Sequence, residues 1–77
     1  MNKLKDLKIL EAVLFASNEP VLEEDLKDKI YNKEEIHLFL KELQKFYSNR
    51  GVNLKKTGKS WSFRTSPELS NELIIFK

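Results

Sequence analysis

Val52-Asn53-Leu54-Lys55-Lys56-Thr57-Gly58-Lys59-Ser60-Trp61-Ser62-Phe63-Arg64-Thr65 is the stretch that decides the fold. Val52 and Leu54 alternate with Asn53 and Lys55, and Trp61, Phe63 and Thr65 alternate with Ser62 and Arg64. A period of two is the mark of a half-buried strand. Between the runs, Thr57-Gly58-Lys59-Ser60 reads as a hairpin turn. The stretch therefore predicts one antiparallel ribbon with an apolar and a polar face. A lone hairpin is marginal in water, so Trp61 and Phe63 must pack onto the rest of the chain.

Upstream the period changes to 3.6. Ile36, Phe39, Leu40, Leu43 and Tyr47 share one face, with Phe46 at its edge, and predict a helix over 33–47. Asn32 followed by Glu35 has the spacing of a capping box. Gly51, after Ser48-Asn49-Arg50, is expected to leave the helix in the left-handed conformation. A shorter helix is predicted over 23–30, with Leu22, Leu26 and Ile30 as its buried stripe and Glu23, Glu24 and Asp25 complementing its dipole. Ser17-Asn18-Glu19-Pro20 ends a first helix over 4–16. In that helix Leu4, Leu7, Leu10, Leu14 and Phe15 are expected to face the core, while Ile9, Ala12, Val13 and Ala16 lie on the other side. A helix apolar nearly all round is normally covered on both faces. Downstream, Ser66-Pro67-Glu68 opens a further helix containing Leu69, Leu73, Ile74, Ile75 and Phe76. Three helices followed by a two-stranded wing is the order of an α+β winged helix-turn-helix domain, here with an extra C-terminal helix. The apolar ending LIIFK suggests a chain cut where a second unit begins, so residues 1–77 are expected to be the amino-terminal domain of a two-domain protein.

Seventy-seven residues hold one domain. Cysteine is absent, histidine occurs once and glycine twice, which leaves no material for a disulfide framework, a thiolate metal site or a phosphate loop. No apolar run approaches the ~18 residues of a membrane span, and the opening MNKLKDLK lacks a signal-peptide layout; a cytoplasmic protein is expected. The formal charge is +2, but residues 49–66 alone carry +5: Arg50, Lys55, Lys56, Lys59 and Arg64 without an acid. One short segment holds the positive field.

His37 lacks the orienting acid and nucleophile of a catalytic site and the companions of a metal site, and reads as solvated or partner-facing. Glu23, Glu24, Asp25 and Asp28 lack the loop of a calcium site. Trp61 and Phe63 could stack on bases, but their strand face is the one that must anchor the wing. No enzyme and no cofactor is expected. Lys55, Lys56, Lys59 and Arg64 are the candidate nucleic-acid contacts, since unopposed cations release counterions from phosphates. The third helix argues against a DNA reader, because Glu34 and Glu42 accompany Lys41 and Lys45 on its open side. Leu38 lies opposite its buried stripe, where it has only a thymine methyl to meet on DNA. Leu38, Lys41 and Lys45 are better read as a protein-docking surface.

Three strings, in this order, resemble the segregation and condensation protein B family: Ile9–Leu26 (ILEAVLFASNEPVLEEDL), Arg50–Leu54 (RGVNL) and Trp61–Glu68 (WSFRTSPE). Asn18 stands where glycine is common, and Leu22 where a Ser or Thr cap is common, so the second helix should lack a side-chain cap. The resemblance implies a non-enzymatic subunit of the bacterial condensin-like complex, nucleoid-associated through that complex. It would homodimerise through this domain and bind the kleisin that bridges the structural-maintenance-of-chromosomes ATPase, with direct DNA binding weak or absent and no membrane. On that reading Ile9, Ala12, Val13 and Ala16 form the dimer interface. The alternative is a DNA-binding winged-helix transcription regulator that uses the basic wing, and a third reading combines the two.

Overall fold

The computed structural model describes residues 3–66, so the helix expected from Pro67 onward lies outside the described residues. Three helices and a small antiparallel sheet make an α+β fold: α1 (Lys3–Ala16), β1 (Val21–Leu22), α2 (Glu23–Lys27), a 3-10 turn (Lys33–Glu35), α3 (Ile36–Phe46), β2 (Val52–Thr57) and β3 (Ser60–Thr65). Leu10, Leu14, Leu26, Ile30, Ile36, Phe39, Leu40, Leu43, Leu54 and Trp61 form the core. Burying each such side chain contributes about 1.5–3 kcal/mol, and α1, α2 and its following turn, α3 and the β2–β3 ribbon all supply members.

The ribbon forms as its period predicts, with Leu54 opposite Phe63 and Thr57 opposite Ser60. Gly58 takes the turn at φ 63°, a conformation that L side chains rarely adopt. The sheet, however, has three strands in the order β1-β3-β2. Val21 pairs with Trp61 and Leu22 with Ser60, which covers the open edge of β3. Two residues are too few to show a period, so this strand leaves no pattern in the sequence. Its pairing also changes α2. Leu22 caps that helix without a side-chain bond, as its apolar side chain requires. The Glu23 N–H, which a cap would not reach, donates instead to the Lys59 carbonyl of the wing turn at 2.8 Å.

Several expectations are corrected. The buried row of α1 is Asp6, Leu10 and Leu14, four residues apart, with Leu7 on one flank and Ile9 and Val13 on the other. That rotation leaves Leu4 and Phe15 past the edge of the core and exposed. Leu22 is also exposed, because its backbone is in the sheet rather than in α2. The helical part of 23–30 stops at Lys27, and turns carry Ile30 into the core. The first turn of 33–47 is 3-10, and α3 proper begins at Ile36. Asn32 makes no side-chain cap to the turn that follows it; its amide donates to Asp6 instead. Gly51 does not adopt a positive φ, and its carbonyl accepts from the Ser66 N–H, closing the base of the wing.

Candidate docking surfaces

Asp6 is the buried pin that aims α3. Its Oδ1 accepts from the Tyr31 N–H at 2.9 Å, and its Oδ2 from the Asn32 N–H and the Asn32 side chain at 2.9 and 2.8 Å. Burial alone would push this carboxyl up. The Tyr31 and Asn32 donors, helped by the nearby Lys33 ammonium, outweigh that and hold it below its ordinary 3.8. The signal was present in the sequence as an acid four residues before Leu10, inside the apolar row. Lys33 in turn donates to the Ile30 carbonyl at 2.9 Å, so the α2–α3 turn is closed from both sides.

Glu23 is the second polar group that sequence reading assigned too small a part. Trp61 is fully buried, and its indole N–H donates to Glu23 Oε1 at 2.9 Å. The same oxygen lies 3.7 Å from His37 Nδ1. His37 is thus half-exposed beside an acid on α2 rather than simply solvated. Among the described residues no group of three or more His, Asp or Glu is placed to hold a metal ion.

The open side of α3 carries Leu38, Lys41 and Lys45 on one face, all exposed, with Leu38 at 64%. They stand one to two turns apart along α3. Glu42 beside them bridges to Lys3 of α1 at 3.1 Å. An exposed leucine thus shares this side of the helix with two lysines and an acid, an apolar contact among charges of both signs.

The wing cations do not form one patch. Register places Lys55 and Arg64 on the outward face of the ribbon, with Thr57. Lys56 and Lys59 lie on the other side, around an open hollow of about 380 Å³ that they share with Glu23, Glu24 and Lys27. Lys56 Nζ sits 5.9 Å from the Trp61 ring. Arg50 has left the wing altogether and stacks over Phe46 at 4.4 Å. The +5 of the linear sequence is therefore divided among three places.

Apolar residues are spread nearly evenly around α1, and the helix has two open edges. On one, Ala12 and Ala16 are exposed beside the half-buried Ile9 and Val13. Contrary to expectation, Ile9 and Val13 do not lie wholly away from the core but pack partly against it, which leaves Ala12 and Ala16 as the exposed members of the four. The second edge escaped sequence reading. There an apolar groove of about 270 Å³ runs between α1 and α3, lined chiefly by Leu4, Leu7, Leu43 and Phe46. It continues into a row of rings: Phe46 against Tyr47 at 5.2 Å, Tyr47 against Phe63 at 4.9 Å and Phe63 against Phe15 at 6.4 Å, all edge to face. The Tyr47 hydroxyl donates to Glu11 of α1. That bond and burial raise the phenol above its ordinary 10.0 despite the Arg50 guanidinium nearby.

Comparison with known proteins bears on what these surfaces serve. A family model described as segregation and condensation complex subunit ScpB matches residues 8–76. The segregation and condensation protein B homolog of Coxiella burnetii is 32% identical over 75 residues, covering 91% of this chain and 36% of that protein. A crystal structure of a conserved hypothetical protein from Chlorobium tepidum superposes with a TM-score of 0.77 at 25% identity, over 97% of this chain and 49% of that one. The chain thus spans about a third of the first relative and about half of the second.

Proposed function

The chain belongs to the segregation and condensation complex subunit ScpB family, a non-catalytic family, and on that premise we propose that it is a winged-helix docking module of the bacterial condensin-like complex. The element order α1-β1-α2-α3-β2-β3 supports the winged-helix assignment, with β2 and β3 as the wing. The module homodimerises through the α1 edge of Ile9, Ala12, Val13 and Ala16. The two alanines let a second helix approach closely. Leu38, Lys41 and Lys45 receive the kleisin, and through it the structural-maintenance-of-chromosomes ATPase. The protein works in the cytoplasm, held at the nucleoid by that complex, as the amino-terminal domain of a two-domain subunit.

The observation that carries this reading is the open face of α3, where an exposed Leu38 stands among charges of both signs. A helix presented to the major groove would offer donors to base edges and cations to phosphates. The division of the wing cations speaks against the transcription-regulator alternative in the same way, because Lys55 and Arg64 alone face outward. Isothermal titration of the kleisin with the wild type and with Leu38→Asp tests the assignment. Unchanged affinity for the variant would dismiss Leu38 as a contact.

A further inference from the structure

Register puts Asn53, Lys55 and Thr57 of β2 and Ser60, Ser62 and Arg64 of β3 on the outward face of the wing. All six are polar, two are cations and none is an acid. Neither Lys55 nor Arg64 makes an ion pair among the described residues. With Thr57 and Thr65 they line a shallow, open hollow of about 480 Å³. We propose that this face holds the phosphodiester backbone of duplex DNA through Lys55 and Arg64, without reading the bases, while Lys56 and Lys59 take no part.

The chemistry of the face selects that occupant. A protein partner needs an apolar centre to bury, and these six residues offer none. A nucleic-acid backbone needs cations and hydroxyl donors, which are what the face is made of. Asn53 is already committed, its amide donating to the Tyr47 carbonyl at 2.7 Å. Ser62, directly opposite Lys55, has a buried Oγ with no hydrogen-bond partner among the described residues, so the face holds an unmet donor as well as unmet charge. Arg64 is the diagonal neighbour of Lys55, about 7–8 Å away between backbones, close enough for both to meet one strand. The other two wing lysines are placed differently. Lys56 and Lys59 share their hollow with Glu23 and Glu24, whose carboxylates oppose a phosphate there. Each phosphate neutralised adds about 0.9 to the salt exponent, so two cations carry an exponent of about 1.8, a weak contact that is blind to sequence. It is additional to the protein-docking surface on α3 and does not rest on it.

Fluorescence anisotropy of a labelled DNA duplex, titrated with the full 77-residue chain at a series of salt concentrations, tests it. The double variants Lys55→Ala/Arg64→Ala and Lys56→Ala/Lys59→Ala remove the same charge from exposed positions, so the second controls for net charge. The proposal predicts that the first loses about tenfold or more in affinity at about 50 mM salt, with nearly all of its salt dependence, while the second stays within about twofold of the wild type. Equal losses in the two variants would overturn it, since net charge alone would then explain the binding. So would a wild type that does not bind the duplex, or one that binds two unrelated duplexes with unequal affinity. Poly-L-glutamate held more tightly than the duplex, and released by Lys55→Ala/Arg64→Ala, would assign the face to an acidic protein segment and overturn it as well.

Discussion

Asp6 has no exposed surface, yet it is charged and sits in a helix face that is otherwise leucine. A buried carboxylate survives there because three N–H groups from Tyr31 and Asn32 replace its water. Asp6→Asn should weaken the fold more than an ordinary surface substitution does, since an amide nitrogen would then oppose those donors. The pH dependence has a definite sign. Because folding depresses this carboxyl, its contribution is complete above the ordinary value of 3.8 and is lost as pH falls through the folded value. Urea unfolding of wild type and Asp6→Asn should therefore show a constant gap from pH 7 to 5 that narrows below about pH 4. A gap that widened on acidification would reverse the assignment. Reading the sequence counted Asp6 only as a charge, because composition treats every acid on a helix as solvated. Glu23 was misjudged for a related reason: it does stand in the first turn of α2, but its partner is the Trp61 indole, 38 residues away.

The elements with the strongest periods were the ones legible beforehand. In α3 Ile36, Phe39, Leu40 and Leu43 are buried as predicted. Tyr47 packs against the core from just past the helix end while Phe46 at the edge is exposed, and the ribbon formed with its turn at Gly58. A side chain at 58 meets no atom within 4 Å, so any penalty comes from φ 63° alone. Gly58→Ala should cost about 1 kcal/mol, and Gly58→Asn less, because asparagine tolerates the left-handed region. Equilibrium denaturation measures both, and an alanine variant as stable as wild type would contradict the turn. What was not legible depends on contacts between elements. In α1 apolar residues occupy most of the circumference, so sequence could not say which hundred degrees the core would take, and Leu4 and Phe15 fell outside it. The two-residue β1 is created by the edge of β3. On α3, Leu38→Asp should leave stability unchanged, since the residue is exposed, and lower kleisin affinity about tenfold or more in titration.

For the molecule as a whole, charge and shape differ from side to side. The wing cations are divided, α3 presents leucine among mixed charges, and α1 offers a strip of small apolar residues. Binding to a DNA duplex should accordingly be weak at 50 mM salt, without sequence preference, and lost by 200 mM. Tight, sequence-selective retention in a fluorescence titration would favour the regulator. The dimer is the central claim, and α1 provides a clean way to test it. Val13 packs partly against its own core, so Val13→Glu would mix any effect on the proposed interface with stability; Ala12 is exposed, so Ala12→Glu tests the proposed interface without disturbing the core. Sedimentation velocity from low micromolar concentrations upward is the most direct measurement. The account predicts a concentration-dependent dimer for the wild type, with a dissociation constant about tenfold or more higher for Ala12→Glu. A wild type that sediments as a monomer at every concentration would contradict it.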